Sequence, residues 1–273
     1  MSQRFKTLAL AQEGAVLHVT LNRPEVRNAM SLLMVAELRL ALAEAEASVG
    51  SEHAARVLVL RGSGGHFCAG ADVKDMAAAR MRAMQSSDGS DAMAEANAQF
   101  GELCSAYARA PLALVAVLQG TVMGGGVGLA CVADIALAED TAVFRLPETS
   151  MGVVPAQIAP FLVERLGYSQ AKRLAVTGGK LDAAAALQIG LVHAVTNSQT
   201  LEQALIAILR DILACAPQAL AATKALMSRA RHHDAQQLVM EAARVFSQSA
   251  ASAEGLEGIA AFMQKRKPKW AAE

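Results

Sequence analysis

Several absences narrow this sequence before any motif is read. Net charge is missing: 25 basic side chains balance 25 acidic ones. No overall field therefore draws the chain to nucleic acid or to an anionic membrane, and any anion site must be local. Aromatic residues are scarce, with one Trp and two Tyr, so there is no basic aromatic surface of the kind that binds RNA. The four cysteines, Cys68, Cys104, Cys131 and Cys215, are widely spaced. With no C-x-x-C pair and no histidine pattern beside them, no metal site is expected, and they read as buried thiols in a reducing compartment. The N-terminus has neither a sustained apolar stretch nor a small-residue cleavage site, so it does not read as a secretory signal and the expected location is the cytoplasm. No solenoid repeat, low-complexity block or G-x-S-x-G elbow is present, the last arguing against a serine hydrolase.

Apolar residues are plentiful. They make up 53% of 273 residues, enough for a substantial core in one domain, or in a domain with an appendage. The tract 112–138 is long enough to imitate a membrane span. Pro111, Gly124-Gly125-Gly126, Gly128 and Asp134 divide it instead into a buried strand, a turn, a short helix and a second strand.

Residues 15–22 alternate apolar and polar as a strand does, ending at Asn22-Arg23-Pro24. Ser31 is placed as an N-cap for a helix over 32–48. A strand at 56–61 runs into the loop Gly62-Ser63-Gly64-Gly65. Residues 73–91 lack periodicity and read as a mobile segment. A helix over 92–110, a strand at 112–118, a small helix at 126–132 and a strand at 135–138 complete a second βα unit, which makes the fold class α/β. After Pro155 the pattern predicts helices only: 158–166, 169–177, 182–188, 201–215, 218–230, and 235–265 with a break near Ser252. Residues 1–200 are expected to form the core and 201–273 a helical C-terminal region.

Two glycine-rich strand ends carry the chemical signal. His66-Phe67-Cys68-Ala69-Gly70-Ala71-Asp72 follows one buried strand; small residues there let a ligand approach the backbone. Met123-Gly124-Gly125-Gly126-Val127-Gly128-Leu129 follows another and opens a helix whose first amides lack partners. Side by side in a parallel sheet, the two ends could each aim an N–H at one oxygen, the geometry of an oxyanion hole.

FCAGAD at 67–72, GGGVGLACVADIALA at 124–138 and FRLPETSMGVVP at 144–155 resemble the enoyl-CoA hydratase/isomerase (crotonase) superfamily. The resemblance runs from NRPEVRNAM at 22–30 to AFMQKRK at 261–267. It implies a spiral of ββα units with a C-terminal helical trimerisation region, hence a homotrimer or a hexamer built as a dimer of trimers. It implies an acyl-CoA substrate and no separate cofactor, coenzyme A being part of the substrate. Carried over by motif, the hole amides are those of Ala71 and Gly125, and Glu148 is the acid/base, its pKa raised by an apolar pocket. The loop from Ala69 through Asp72 and Val73 to Lys74 would lie along the CoA. Phe262 and Lys265 match positions that contact CoA from a neighbouring subunit, and Phe246 lines the same tunnel.

One departure stands out. Familiar hydratases carry a second glutamate where this chain has Gly128, so Glu148 works alone or with help from elsewhere. Gln157, in Pro155-Ala156-Gln157-Ile158-Ala159-Pro160, could orient water but not take its proton; capping of the following helix is an equal reading. The stretch from Pro147 through this segment is similar to isohexenylglutaconyl-CoA hydratases of acyclic terpene catabolism, and less so to 3-methylglutaconyl-CoA hydratases. A second substrate carboxylate could then pair with Arg80, Arg82 or Arg145. The expected reaction is hydration of a branched enoyl-CoA by an enoyl-CoA hydratase (lyase). The alternatives are an isomerase using Glu148 alone and a non-catalytic CoA-binding subunit. His18, His193 and His232-His233 are read as structural, the last pair on a helix, and Asp134 as a buried hydrogen-bonded carboxylate.

Overall fold

The computed structural model describes residues 4–51, 54–85 and 91–271. In chain order the first half runs β1 (Leu8–Glu13), β2 (Val16–Leu21), α1 (Leu32–Ala47), β3 (Val57–Gly62), α2 (Val73–Gln85), α3 (Ala92–Arg109) and β4 (Ala113–Leu118). Next come β5 (Thr121–Met123), α4 (Gly125–Val132), β6 (Ile135–Glu139), β7 (Val143–Arg145), α5 (Ala159–Val176), β8 (Lys180–Asp182), α6 (Ala183–Gln188) and β9 (Ala194–Thr196). Four helices close the chain: α7 (Leu201–Leu213), α8 (Pro217–Ala230), α9 (Ala235–Ala251) and α10 (Ala253–Met263).

Six strands form one sheet in the order β1-β2-β3-β4-β6-β9, parallel except for the β1–β2 hairpin. Its central strands are apolar on both faces because both faces are covered. Leu58, Leu60, Leu114, Ala116 and Leu118 enter the large core that α1, α3 and α4 build, whereas Val57, Val59, Val115 and Val117 turn to a second cluster closed by Leu201, Leu205 and Ile212 of α7. A smaller sheet, β5-β7-β8, lies beside this layer, and Cys68 bridges to its Val122. The chain thus crosses from the first sheet to the second just ahead of each glycine-rich segment, between β3 and Cys68 and between β4 and β5.

Several expectations change. Within 73–91, Val73–Gln85 is a helix, capped by Asp72, whose Oδ1 accepts from the Lys74 N–H at 2.9 Å. Residues 86–90 lie outside the described residues. The helix showed no periodicity because its large apolar residues, Val73, Met81 and Met84, face outward and only Ala79 is buried. The stretch after Pro155 is not purely helical, since β8 and β9 interrupt it; three residues are too few for alternation to register. The two helices expected at 158–166 and 169–177 are both present, as the two arms of α5, which meet at Gly167, where φ 70° and ψ 157° are not helical. The last helix ends at Met263, with Lys265 beyond it at φ 55°. His232 and His233 lie in the turn after α8 rather than on a helix.

Three cysteines, Cys68, Cys104 and Cys131, are buried free thiols, and burial pushes Cys68 and Cys131 up to about 12. Cys215 is exposed, against expectation. Among the described residues no single helix is long and apolar enough to cross a membrane; the pair α7 and α8 passes by composition but is bent by 96°.

Candidate active site

The segment 67–72 is held from both sides. On one side Cys68 N–H donates to Thr121 O at 3.0 Å and Met123 N–H to Cys68 O at 2.9 Å. On the other, Met30 N–H donates to Gly70 O at 2.7 Å and Asp72 N–H to Met30 O at 2.9 Å. In a parallel bridge of this kind the intervening residue directs its own N–H the other way. Ala71 therefore presents its amide away from Met30. Gly70, at φ 94°, passes so close to the second glycine cluster that a Cβ on it would meet Met123 O at 3.3 Å.

That second cluster begins α4. Its first helical bond is Gly128 N–H to Gly124 O at 3.1 Å, and no side chain caps it, which leaves the Gly125, Gly126 and Val127 amides without helical acceptors. Gly126 and Val127 are buried, while Gly125 is half-buried and accessible. A Cβ on Gly124 would lie 3.7 Å from Gly70 Cα, so the two strand ends converge.

The loop is set by the 22–30 motif. Asn28, fully buried, donates to Ser63 O at 2.9 Å and His66 O at 2.7 Å, while its Oδ1 accepts from Arg23 N–H at 2.8 Å. Its φ of 55° is one that asparagine tolerates better than most residues. Arg23 Nη1 bonds Ala29 O at 2.7 Å and Asp72 at 2.8 Å. Burial alone would raise the Asp72 carboxyl, but the hydrogen bonds from Arg23 and the Lys74 amide hold it below the usual range. Asp72 thus clamps the loop and caps α2, and Ala69 is half-buried beside it. Val73 and Lys74 are exposed on the first turn of α2.

Glu148 opens a short 3-10 turn, Glu148–Met151, after Pro147. A Cβ on Gly124 would sit 2.8 Å from its Oε1, so the carboxylate lies over the start of α4. Gly124, at φ 48° and ψ −116°, has the backbone that glycine permits there. Glu148 Oε2 is buried with no hydrogen-bond partner. Burial raises the carboxyl above its ordinary value, offset in part by its own backbone N–H. An orphaned buried oxygen in a half-buried carboxylate is a feature that stability alone does not select.

Gly128 has a steric explanation. A Cβ there would collide with Ile158 Cγ2 and approach Phe100 Cζ at 3.3 Å. The volume a second carboxylate would need is filled by apolar side chains from α3 and the start of α5. Phe100 also faces Gly125, where a Cβ would approach its Cζ at 3.2 Å. Sequence reasoning missed both residues; the signal available was an aromatic on α3 and an isoleucine beside Gln157. Gln157 turns to α3, where its Nε2 donates to Asn97 Oδ1 at 2.8 Å and its side chain packs over Gly101.

Phe246 on α9 and Phe262 on α10 are 75% and 86% exposed, and Lys265 is exposed beyond α10. Arg80, Arg82 and Arg145 are exposed as well. Asp134 is exposed rather than buried, yet it accepts from Leu114 N–H at 2.7 Å and from Lys224 at 2.5 Å. His18 sits on β2, 3.9 Å from Glu13. His193 Nδ1 accepts from Ala136 N–H at 2.9 Å, and burial with the neighbouring Arg165 holds its pKa below the usual histidine value. Among the described residues no cluster of His, Cys, Asp or Glu could hold a metal.

The family model described as enoyl-CoA hydratase/isomerase matches residues 11–273. Among solved structures the chain is similar to AtuE of Pseudomonas aeruginosa, at 49% identity and a TM-score of 0.92, covering 98% of this chain and 100% of that one. It is also similar to an enoyl-CoA hydratase/isomerase from Marinobacter aquaeolei, at 47% identity and a TM-score of 0.91, over 97% and 99% of the two chains. A protein of Rhizobium meliloti named "Probable enoyl-CoA hydratase" is 33% identical over 97% of this chain and 98% of its own.

Proposed function

This chain belongs to the enoyl-CoA hydratase/isomerase family, with the mixed α/β crotonase fold and the character of an enoyl-CoA hydratase-like enzyme, and from that premise we propose that it adds water to the double bond of a branched enoyl-CoA. The thioester oxygen sits between the amides of Ala71 and Gly125. As water attacks the β carbon, its proton passes to Glu148 and negative charge moves onto that oxygen. Glu148 then returns the proton to the α carbon, the enolate collapses to the saturated thioester, and the carboxylate is restored. One residue can serve both transfers because its raised pKa brings the acid and the enolate closer in basicity.

The observation that carries this reading is Glu148 lying over Gly124 with Oε2 unpartnered. A branched acyl group, of the isohexenylglutaconyl or methylglutaconyl type, is supported by the apolar Phe100 and Ile158 that stand where a second glutamate would be, together with the sequence likeness around Pro155. The loop 69–74 receives the CoA, and Phe246, Phe262 and Lys265 serve a neighbouring subunit in a trimer or a dimer of trimers. Gly128 also favours a second reading, an isomerase in which Glu148 shuttles a proton between two carbons of the substrate. Incubation with a branched glutaconyl-type thioester separates the two. Hydration bleaches the conjugated absorbance and adds the mass of one water, whereas a shifted double bond at unchanged mass assigns the isomerase.

A further inference from the structure

We propose that Arg165 is a positioning residue that holds α4 by its far end and so fixes the Gly125 amide, a role that rests on the reading of the hole given above. Arg165 lies on the first part of α5, about two turns beyond Ile158 and on the same helical face. That face runs along α4: Ile158 closes over Gly128, and Arg165 reaches the last turn. The guanidinium donates from Nη2 to Cys131 O at 2.9 Å, to Ala130 O at 3.4 Å and to Ala133 O, and from Nε to Cys131 O at 3.3 Å. These carbonyls end a helix that has no basic residue of its own in its last turn.

His193 packs against the fork, with Nε2 2.9 Å from Arg165 Nη1. The contact is not a hydrogen bond, because the ring Nδ1 accepts from Ala136 N–H at 2.9 Å and so leaves Nε2 as a donor facing another donor. The His193 backbone N–H also donates to Ala136 O at 2.8 Å, so the residue beside the fork is fixed to β6. The charge of Arg165 acts in the same direction as its bonds. Over the eight residues of α4, about 12 Å separates guanidinium from hole, and a half-buried cation there favours an anion forming at the N-terminal end. Phosphate or metal binding is not required of Arg165, since four of its N–H···O contacts already go to this one helix end.

The test uses Arg165→Met and Arg165→Lys in the full-length protein with two readouts. One is the absorption of a bound para-dimethylaminocinnamoyl thioester of CoA, which moves to the red as its carbonyl is polarised. The other is the division of any loss between kcat and KM. Wild type should show the red shift. Arg165→Met should lower kcat about tenfold with KM within about twofold, and should give a smaller shift. Arg165→Lys keeps the charge but not the fork, so it should fall between and remain folded if the Met variant does not. A wild type with no red shift sinks the hole and this role together. A shifted wild type matched by either folded variant, in both shift and kcat, overturns Arg165 alone.

Discussion

At the scale of single residues, Glu148 carries opposing demands. Its carboxyl binds a proton more tightly in the folded chain than in the unfolded one, because burial disfavours the charge. Its contribution to stability is therefore complete below the ordinary glutamate value and is lost as pH rises through the raised one. Glu148→Gln removes that loss. The variant should melt above wild type near about pH 7, because glutamine carries no charge to desolvate, and the gap should close toward about pH 4. Scanning calorimetry at the two pH values checks this; equal melting temperatures at neutral pH would remove the argument that Glu148 is strained by its site. Asp72 is the contrast. It occupies a family motif beside the hole, yet its oxygens go to Arg23 and the Lys74 amide, so it works as a clamp.

At the scale of elements, α4 and α5 form a pair whose facing residues decide the chemistry. Gly128 faces Ile158 so closely that no side chain fits between them. Gly128→Glu should therefore cost about 1–3 kcal/mol through overpacking, measured by urea unfolding. Adding Ile158→Ala, itself a core truncation, should cost less in the double variant than the sum of the two single losses, because the smaller residue vacates the space the new side chain needs. Strict additivity would contradict the contact.

This pair also shows what the sequence made legible. The glycine clusters, Glu148 and the missing second glutamate could all be read from motif and spacing. Ile158, Phe100 and the Arg165 fork could not, because each acts across elements that only the folded chain brings together. Helix α2 was missed for the opposite reason: it has no buried stripe, so periodicity gave no signal, and its start is set by Asp72 and the Arg23 pairing from a distant loop. The three-residue strands β5, β7, β8 and β9 are defined by their partners rather than by any pattern of their own.

At the scale of the molecule, the C-terminal helices carry large apolar side chains that are exposed among the described residues. Phe246, Leu256, Phe262 and Met263 are exposed together with Met227 and Met240 on α8–α10. Burial of such side chains against a second copy of the chain would support the proposed assembly. The proposed assembly accordingly predicts a mass in solution of three or six times the 28.4 kDa chain by light scattering, and a monomer at micromolar concentration would count against it.

The role of Glu148 is tested by single-turnover hydration with Glu148→Gln beside wild type, with thioester affinity measured in parallel. Glutamine keeps the shape but can neither accept the proton of water nor deliver one to the α carbon. The variant should hydrate more slowly by about a thousandfold or more, with affinity within about threefold because the hole and the CoA contacts remain. A variant that hydrates within about tenfold of wild type would contradict that role, and the proton would have to be handled elsewhere.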